Sequence, residues 1–239
     1  MSMKLFKSIK LVLATMFIVN AVCTKSKESF NKIGIKFFVI TNNRTANDYY
    51  ASDKVNQIIL NLNKAFKDDS GLQIVTFFSK GITKFEDLKE IDCDILKYGT
   101  HINPPNKMNM IKSFMSCKNP KLRDRQSINF YIFDSPWQKN IKWKTSYSYF
   151  NGEQSPAVLV NWETLKTGYK SPSIHEIGHI FGLGHSKACG ANDDTPTYAM
   201  ATPNENCGGT GGNRKLGFTN EEKNIIKENV IKVSRSFSR

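Results

Sequence analysis

Past its first two dozen residues the chain has no apolar run long enough to cross a bilayer, so a multispanning membrane protein is excluded. It has no internal repeat, and its single low-complexity patch, GGTGGN at Gly208 to Asn213, reads as a loop. Acidic residues are in short supply, 21 against 34 lysines and arginines, which leaves a net charge of +13. That excess suits acidic matrix, glycans or membrane surfaces. The lysines are spread along the whole chain rather than gathered in a run interleaved with aromatics, which argues against a nucleic-acid partner and for a generally solvated basic surface. An apolar content of 39% excludes disorder and is enough to fill one globular domain of 239 residues, undivided or split into two lobes by a cleft. Histidine is scarce: there are four, and three of them fall within the eleven residues HEIGHIFGLGH, His175 to His185.

The N-terminus has the three-part plan of a secretory signal peptide: Lys4, Lys7 and Lys10, then an apolar run from Leu11 to Val22 broken only by Thr15 and Asn20, then polar TKSKESFNK. Residues 1–23 are therefore expected to be a signal peptide, or a lipoprotein signal, and 24–239 the exported domain. Cleavage after Cys23, with Ala21 at the minus-three position, leaves Cys93, Cys117, Cys189 and Cys207, an even set suited to two disulfides. Cleavage after Ala21 instead leaves Cys23 as an odd thiol. Lipidation of Cys23 would anchor the protein at the cell surface, and membrane association is expected only in that case. Asn43-Arg44-Thr45 is a glycosylation sequon for a eukaryotic host.

Ile33 to Thr41 (IGIKFFVIT) is nearly continuous in apolar, β-branched and aromatic residues, as in a strand buried on both faces. Val55, Ile58, Ile59, Leu62 and Phe66 then recur at helical spacing, with Ser52 as N-cap and Gly71 past the end. Leu72 to Phe78 reads as a second strand. Strand, helix, strand in this order predicts a right-handed crossover and a largely parallel sheet, an α/β architecture. Around Pro104 and Pro105 a short helix carrying Met108, Ile111, Phe114 and Met115 is expected. A disulfide between Cys93 and Cys117 would close a loop of about two dozen residues and contribute roughly 3 kcal/mol. Further strands are expected at Ile128 to Phe133, at Thr145 to Phe150 as a polar, aromatic edge, and, after the turn at Asn151-Gly152, at Ala157 to Trp162. Thr219 and Glu222 form a capping box for a last helix with Ile225, Ile226, Val230 and Val233 on its apolar face.

Ser171-Pro172 opens a helix on which His175 and His179, four apart, share a face, so both imidazoles reach one ion. Glu176 beside the first ligand reaches a water on that ion. Gly182 permits a positive φ, letting the chain reverse and present His185 from another direction. Three neutral imidazoles and a water are what a catalytic zinc ion requires.

Those residues resemble the HExxHxxGxxH motif of metzincin zinc endopeptidases, and Met200, fifteen residues past His185, falls where that clan places its Met-turn, beneath the metal without ligating it. The pappalysin or cytophagalysin type is the most similar. IKFFVITNN, SDKVNQIILNLNKAF and LQIVTFFSKGIT resemble its opening strand, helix and strand. SINFYIF, SYSYFNG and AVLVNW resemble its later strands, including an edge strand lining the cleft. Cys189, Asp194 to Pro196 (DTP), Cys207 and FTNEE at Phe218 to Glu222 resemble its C-terminal part.

The resemblance implies a twisted, mixed, mostly parallel sheet with helices in an N-terminal lobe (24–182) and a small irregular C-terminal lobe (183–239) with the Met-turn and a final helix. It also implies a secreted, monomeric zinc endopeptidase acting on proteins or peptides, with Glu176 as general base and His175, His179 and His185 as zinc ligands. Tyr147 and Tyr149 on the edge strand would bind substrate. The family's calcium-binding loop falls between His185 and Met200, a segment that is short here and holds Asp193 and Asp194 as the residues able to take Ca2+. Two family positions differ. Thr202 stands where a tyrosine often follows the Met-turn, and Asn206 where an acidic residue favours basic side chains after the scissile bond; Glu205 is its nearest substitute. Little more than ten residues separate the leader from the first strand, too few for an inhibitory prodomain. The competing expectation is a protein that keeps this fold for binding or adhesion without turnover.

Overall fold

The computed structural model describes residues 32–50, 52–93, 95–96, 117, 119–133, 146–150, 152, 155–162, 171–185, 198–201 and 217–237. Five strands form one mixed sheet: β1 (Lys32–Val39), β2 (Thr76–Thr83), β3 (Ile128–Phe133), β4 (Tyr147–Tyr149) and β5 (Ala157–Asn161), in the spatial order β2-β1-β3-β5-β4. β1 pairs in parallel with β2 and β3, and β3 with β5. Only β4 runs antiparallel, at the edge beside β5. The helices are α1 (Arg44–Tyr49), α2 (Ser52–Ala65), α3 (Ser171–Ile180) and α4 (Asn220–Ser236).

The three inner strands are apolar at almost every position because both faces of the sheet are covered. On one face Ile33, Ile35, Phe37 and Val39 of β1 join Phe130 and Ile132 of β3 and Val158 and Val160 of β5 in the larger core, with α2, α3 and α4 packed over them. On the other face Phe38, Ile40, Tyr131, Phe133 and Leu159 meet Leu88, Ile95, Leu96, Leu122 and Cys117. Cys93 and Cys117 are joined by a disulfide that staples this second face; the short helix expected near Pro104 and Pro105 falls outside the described residues.

Two elements differ from the sequence expectation. The second strand begins at Thr76 rather than Leu72, since Leu72 is 68% exposed and belongs to a turn in which Asp68 Oδ1 accepts from the backbone N–H groups of Ser70 and Leu72. It then continues through SKGIT, a polar run that an edge position tolerates. α1 has no apolar stripe to announce it: of its residues only Ala46 is buried, and Asn43 caps it by accepting from the Ala46 N–H. The capping box of α4 is present, with Thr219 Oγ1 accepting from Glu222 N and Glu222 Oε2 from Thr219 N.

Phe66 sits where the parts of the larger core meet. Its ring is 4.9 Å from Phe77 of β2, 5.5 Å from Phe181 at the end of α3 and 4.8 Å from Phe218 just before α4. Edge-on packing of this kind adds about 0.5–1.5 kcal/mol per pair beyond the area buried, and it ties the chain's last helix to α3.

Candidate metal centre

α3 is held against the sheet by Ile174, Ile177 and Ile180, all essentially without exposure. That apolar stripe fixes the helix's rotation, and it leaves His175 and His179 half-buried on another side with Glu176 buried between them in sequence. The helix ends as the glycine spacing predicts. Gly182 adopts a φ of 85°, its N–H donates to the His179 carbonyl at 2.9 Å, and the Leu183 N–H donates to the Gly178 carbonyl at 3.2 Å. This is the Schellman arrangement, with Leu183 folded back over Gly178. It turns the chain so that His185 stacks on His175 at 5.2 Å between ring centroids and lies 4.9 Å from His179.

Two backbone carbonyls set the chemistry of the rings. His175 Nδ1 lies 2.8 Å from the Ala199 oxygen, and His179 Nδ1 2.7 Å from the Leu183 oxygen. A carbonyl only accepts, so each Nδ1 carries the proton and each Nε2 of the neutral ring is a lone pair. Those two Nε2 atoms stand 3.1 Å apart, and the ligand atoms of all three histidines lie within 4.8 Å of one another. Nitrogens this close need either a shared proton or a cation between them. Two nitrogens on a tetrahedral zinc ion would be separated by about 3.3 Å, given Zn–N bonds of about 2.0–2.1 Å. The donor set therefore fits a divalent metal that prefers imidazole. Such Nδ1–carbonyl bonds typically account for about 10–100-fold in metal affinity.

Met200 packs against α3 next to this site. It is fully buried in the turn Tyr198–Ala201, closed by the Ala201 N–H donating to the Tyr198 carbonyl at 3.1 Å. A Cβ added to Gly178 would come 2.5 Å from Met200 Sδ and 3.3 Å from both Leu183 Cδ1 and Phe218 Cε1. Gly178 is thus the opening in α3 through which the methionine reaches the helix, one residue before His179. The same turn supplies the Ala199 carbonyl to His175, so methionine and ligand are held by one piece of backbone.

Of the other anticipated residues, Tyr147 and Tyr149 lie on β4 opposite Leu159 and Ala157, at the sheet edge packed beside α3. Cys189, Cys207, Asp193, Asp194, Thr202, Glu205 and Asn206 fall outside the described residues. Sequence reasoning passed over Gly178 and the carbonyls of Leu183 and Ala199, and gave Phe218 no packing role. A glycine in the middle of a helix was a signal for close packing; the carbonyls had none, since any residue supplies one. No protein-family model matches the chain, and a search of curated proteins finds no match either.

Proposed function

We propose that this protein is an exported zinc-dependent endopeptidase of the metzincin type. The observation that carries the reading is the convergence of three imidazoles, two with their Nδ1 atoms committed to backbone carbonyls, on a helix that also carries Glu176. A zinc ion held there supplies Lewis acidity, polarising a peptide carbonyl and bringing the pKa of water toward neutrality. Glu176, adjacent to His175 and only 6% exposed, takes a proton from the attacking water on its carboxylate and returns it to the leaving amine. His175 and His179 keep their Nε2 lone pairs directed at one point throughout, because their tautomers are held from the other side of each ring. β4 ends the described sheet, and an extended peptide added along it gains backbone hydrogen bonds with little demand on sequence. The lysine-led apolar N-terminus and the disulfide support a site that works outside the cytosol.

Profiling cleavage of a peptide library, with and without 1,10-phenanthroline, tests the reading directly. Chelator-sensitive hydrolysis is expected, and the Glu176→Ala variant should keep its zinc while losing about 10²–10⁴-fold in rate. Undiminished cleavage by that variant would overturn the role of Glu176. A zinc-replete wild-type protein that cleaves nothing would favour the binding or adhesion alternative.

A further inference from the structure

The face of the sheet away from the histidines carries a second site. A cleft of about 900 Å3 opens there, lined by Lys36 and Phe38 of β1, Thr83, Asp87 and the loop 120–126. That volume lies near the top of the range of about 300–1,000 Å3 usual for small-ligand sites. Four of the lining residues are cations, Lys36, Lys121, Arg123 and Arg125, against two acids. One of those acids, Asp124, is already engaged: its Oδ2 is 2.7 Å from Lys80 Nζ and its Oδ1 accepts the Gln126 N–H at 2.8 Å. Burial pushes its carboxyl up, but Lys80 and the donated hydrogen bonds outweigh that and hold it below the ordinary value, so it stays ionised and committed to Lys80. Asp87 is the other acid of the lining, and Lys36 Nζ also lies 3.5 Å from the Lys80 carbonyl, to which it donates.

The backbone that carries the loop cations is also held in place. Tyr131, buried in β3, donates its hydroxyl to the Leu122 carbonyl at 2.6 Å. Asn129, the next inward polar residue of the same strand, accepts from Asp124 N at 2.7 Å and donates to the Asp124 carbonyl at 3.0 Å. Ser155 donates to the Arg125 carbonyl at 2.8 Å. The loop backbone is thereby pinned at Leu122, Asp124 and Arg125, with the Leu122 side chain buried and that of Asp124 turned to Lys80. Lys121, Arg123 and Arg125, at the alternate positions, line the cleft. On the opposite wall β2 carries an extra residue between Ser79 and Ile82, with Gly81 at a φ of 89°, beside Lys36. The backbone that carries these cations is thus ordered by folding, which leaves only side chains to be ordered at binding.

We propose that this cleft binds a sulfated oligosaccharide. The exposed Lys121 ammonium and Arg125 guanidinium, with Lys36 and Arg123 beside them in the lining, match more than one sulfate or carboxylate group at once. Thr83 and Gln126 offer hydroxyl and amide partners to sugar hydroxyls. Phe38 is 1% exposed, so the described lining offers no open aromatic face on which a nucleic-acid base would stack. The site belongs to the opposite sheet face from the histidines, so its occupancy and the metal centre are separable.

Isothermal titration of the full-length zinc-loaded protein with a heparin-derived octasaccharide tests this. Binding should weaken as salt rises. Lys121→Gln with Arg123→Gln and Arg125→Gln should reduce affinity by about tenfold or more, whereas Lys64→Gln with Lys67→Gln and Lys232→Gln, which removes equal charge from other exposed positions, should change it less than about twofold. Equal loss in both triple variants would overturn the proposal in favour of diffuse basic attraction. Poly-glutamate binding as tightly as the octasaccharide would overturn it in favour of an acidic peptide. An unchanged zinc content and thermal midpoint in the cleft variant establishes that the loss is not unfolding; if that triple variant unfolds, Lys121→Gln alone, at an exposed position, carries the test, and affinity unaltered by it and by Arg125→Gln would overturn the assignment.

Discussion

The two faces of the sheet are built on opposite plans. On the histidine face the chemistry is packed into eleven consecutive residues plus one turn, Tyr198–Ala201, and the helix α3 brings its ligands together by its own period. On the other face the basic cleft is collected from β1, the end of β2, the residues after it and the loop 120–126, joined only by the fold. A site made by local geometry is recognisable before folding is known. A site made by topology becomes visible only once strands β1, β2 and β3 are in register.

The difference predicts how each face fails. The largest effect is expected from His179→Ala, which removes one imidazole from the centre: zinc measured by atomic absorption should fall from about one per chain to near zero, and any peptidase activity with it. Zinc retained at full stoichiometry would refute the ligand set. Replacing Cys93 and Cys117 with serine strikes the other face. The cross-link spans 24 residues of sequence, and its loss should cost about 3 kcal/mol in denaturant unfolding while zinc affinity in the folded protein is unchanged. A large drop in affinity there would show the faces to be coupled. Gly178→Ala should have the smallest effect on stability, about 1–3 kcal/mol from overpacking against Met200, but unlike the cysteine change it should weaken zinc binding. Pairing it with Met200→Ala should recover part of that affinity, because the added methyl then has space; no recovery would mean the clash lies with Phe218 or Leu183 instead.

The same contrast explains what the amino-acid order reveals. β1, β3 and β5 are legible because strands covered on both faces are apolar throughout, and α4 because Thr219 and Glu222 mark its start. α3 and the turn at Gly182 are legible because ligand spacing and a left-handed residue are local demands. β2 is legible only in its first part, since an edge strand spends its C-terminal half on Ser79, Lys80 and Gly81, whose polarity resembles a loop. α1 escapes for the same reason: it buries a single alanine. The pinning of loop 120–126 by Asn129 and Tyr131 was hidden inside a strand pattern that explained both residues without it. Charge spread along the sequence likewise disguised charge gathered in space.

Phe218 and the residues of α4 give the metal centre a place in time. During synthesis the helix bearing His175 and His179 emerges well before the turn that carries Ala199 and Met200, and before Phe218, whose ring packs against Phe66 and borders Gly178. Until those segments arrive, His175 has no Ala199 carbonyl to select its tautomer and α3 has no floor beneath Gly178. The three histidines are thus written early and their arrangement is completed late, so on the proposed function metal capture would report that the C-terminal part of the chain has docked.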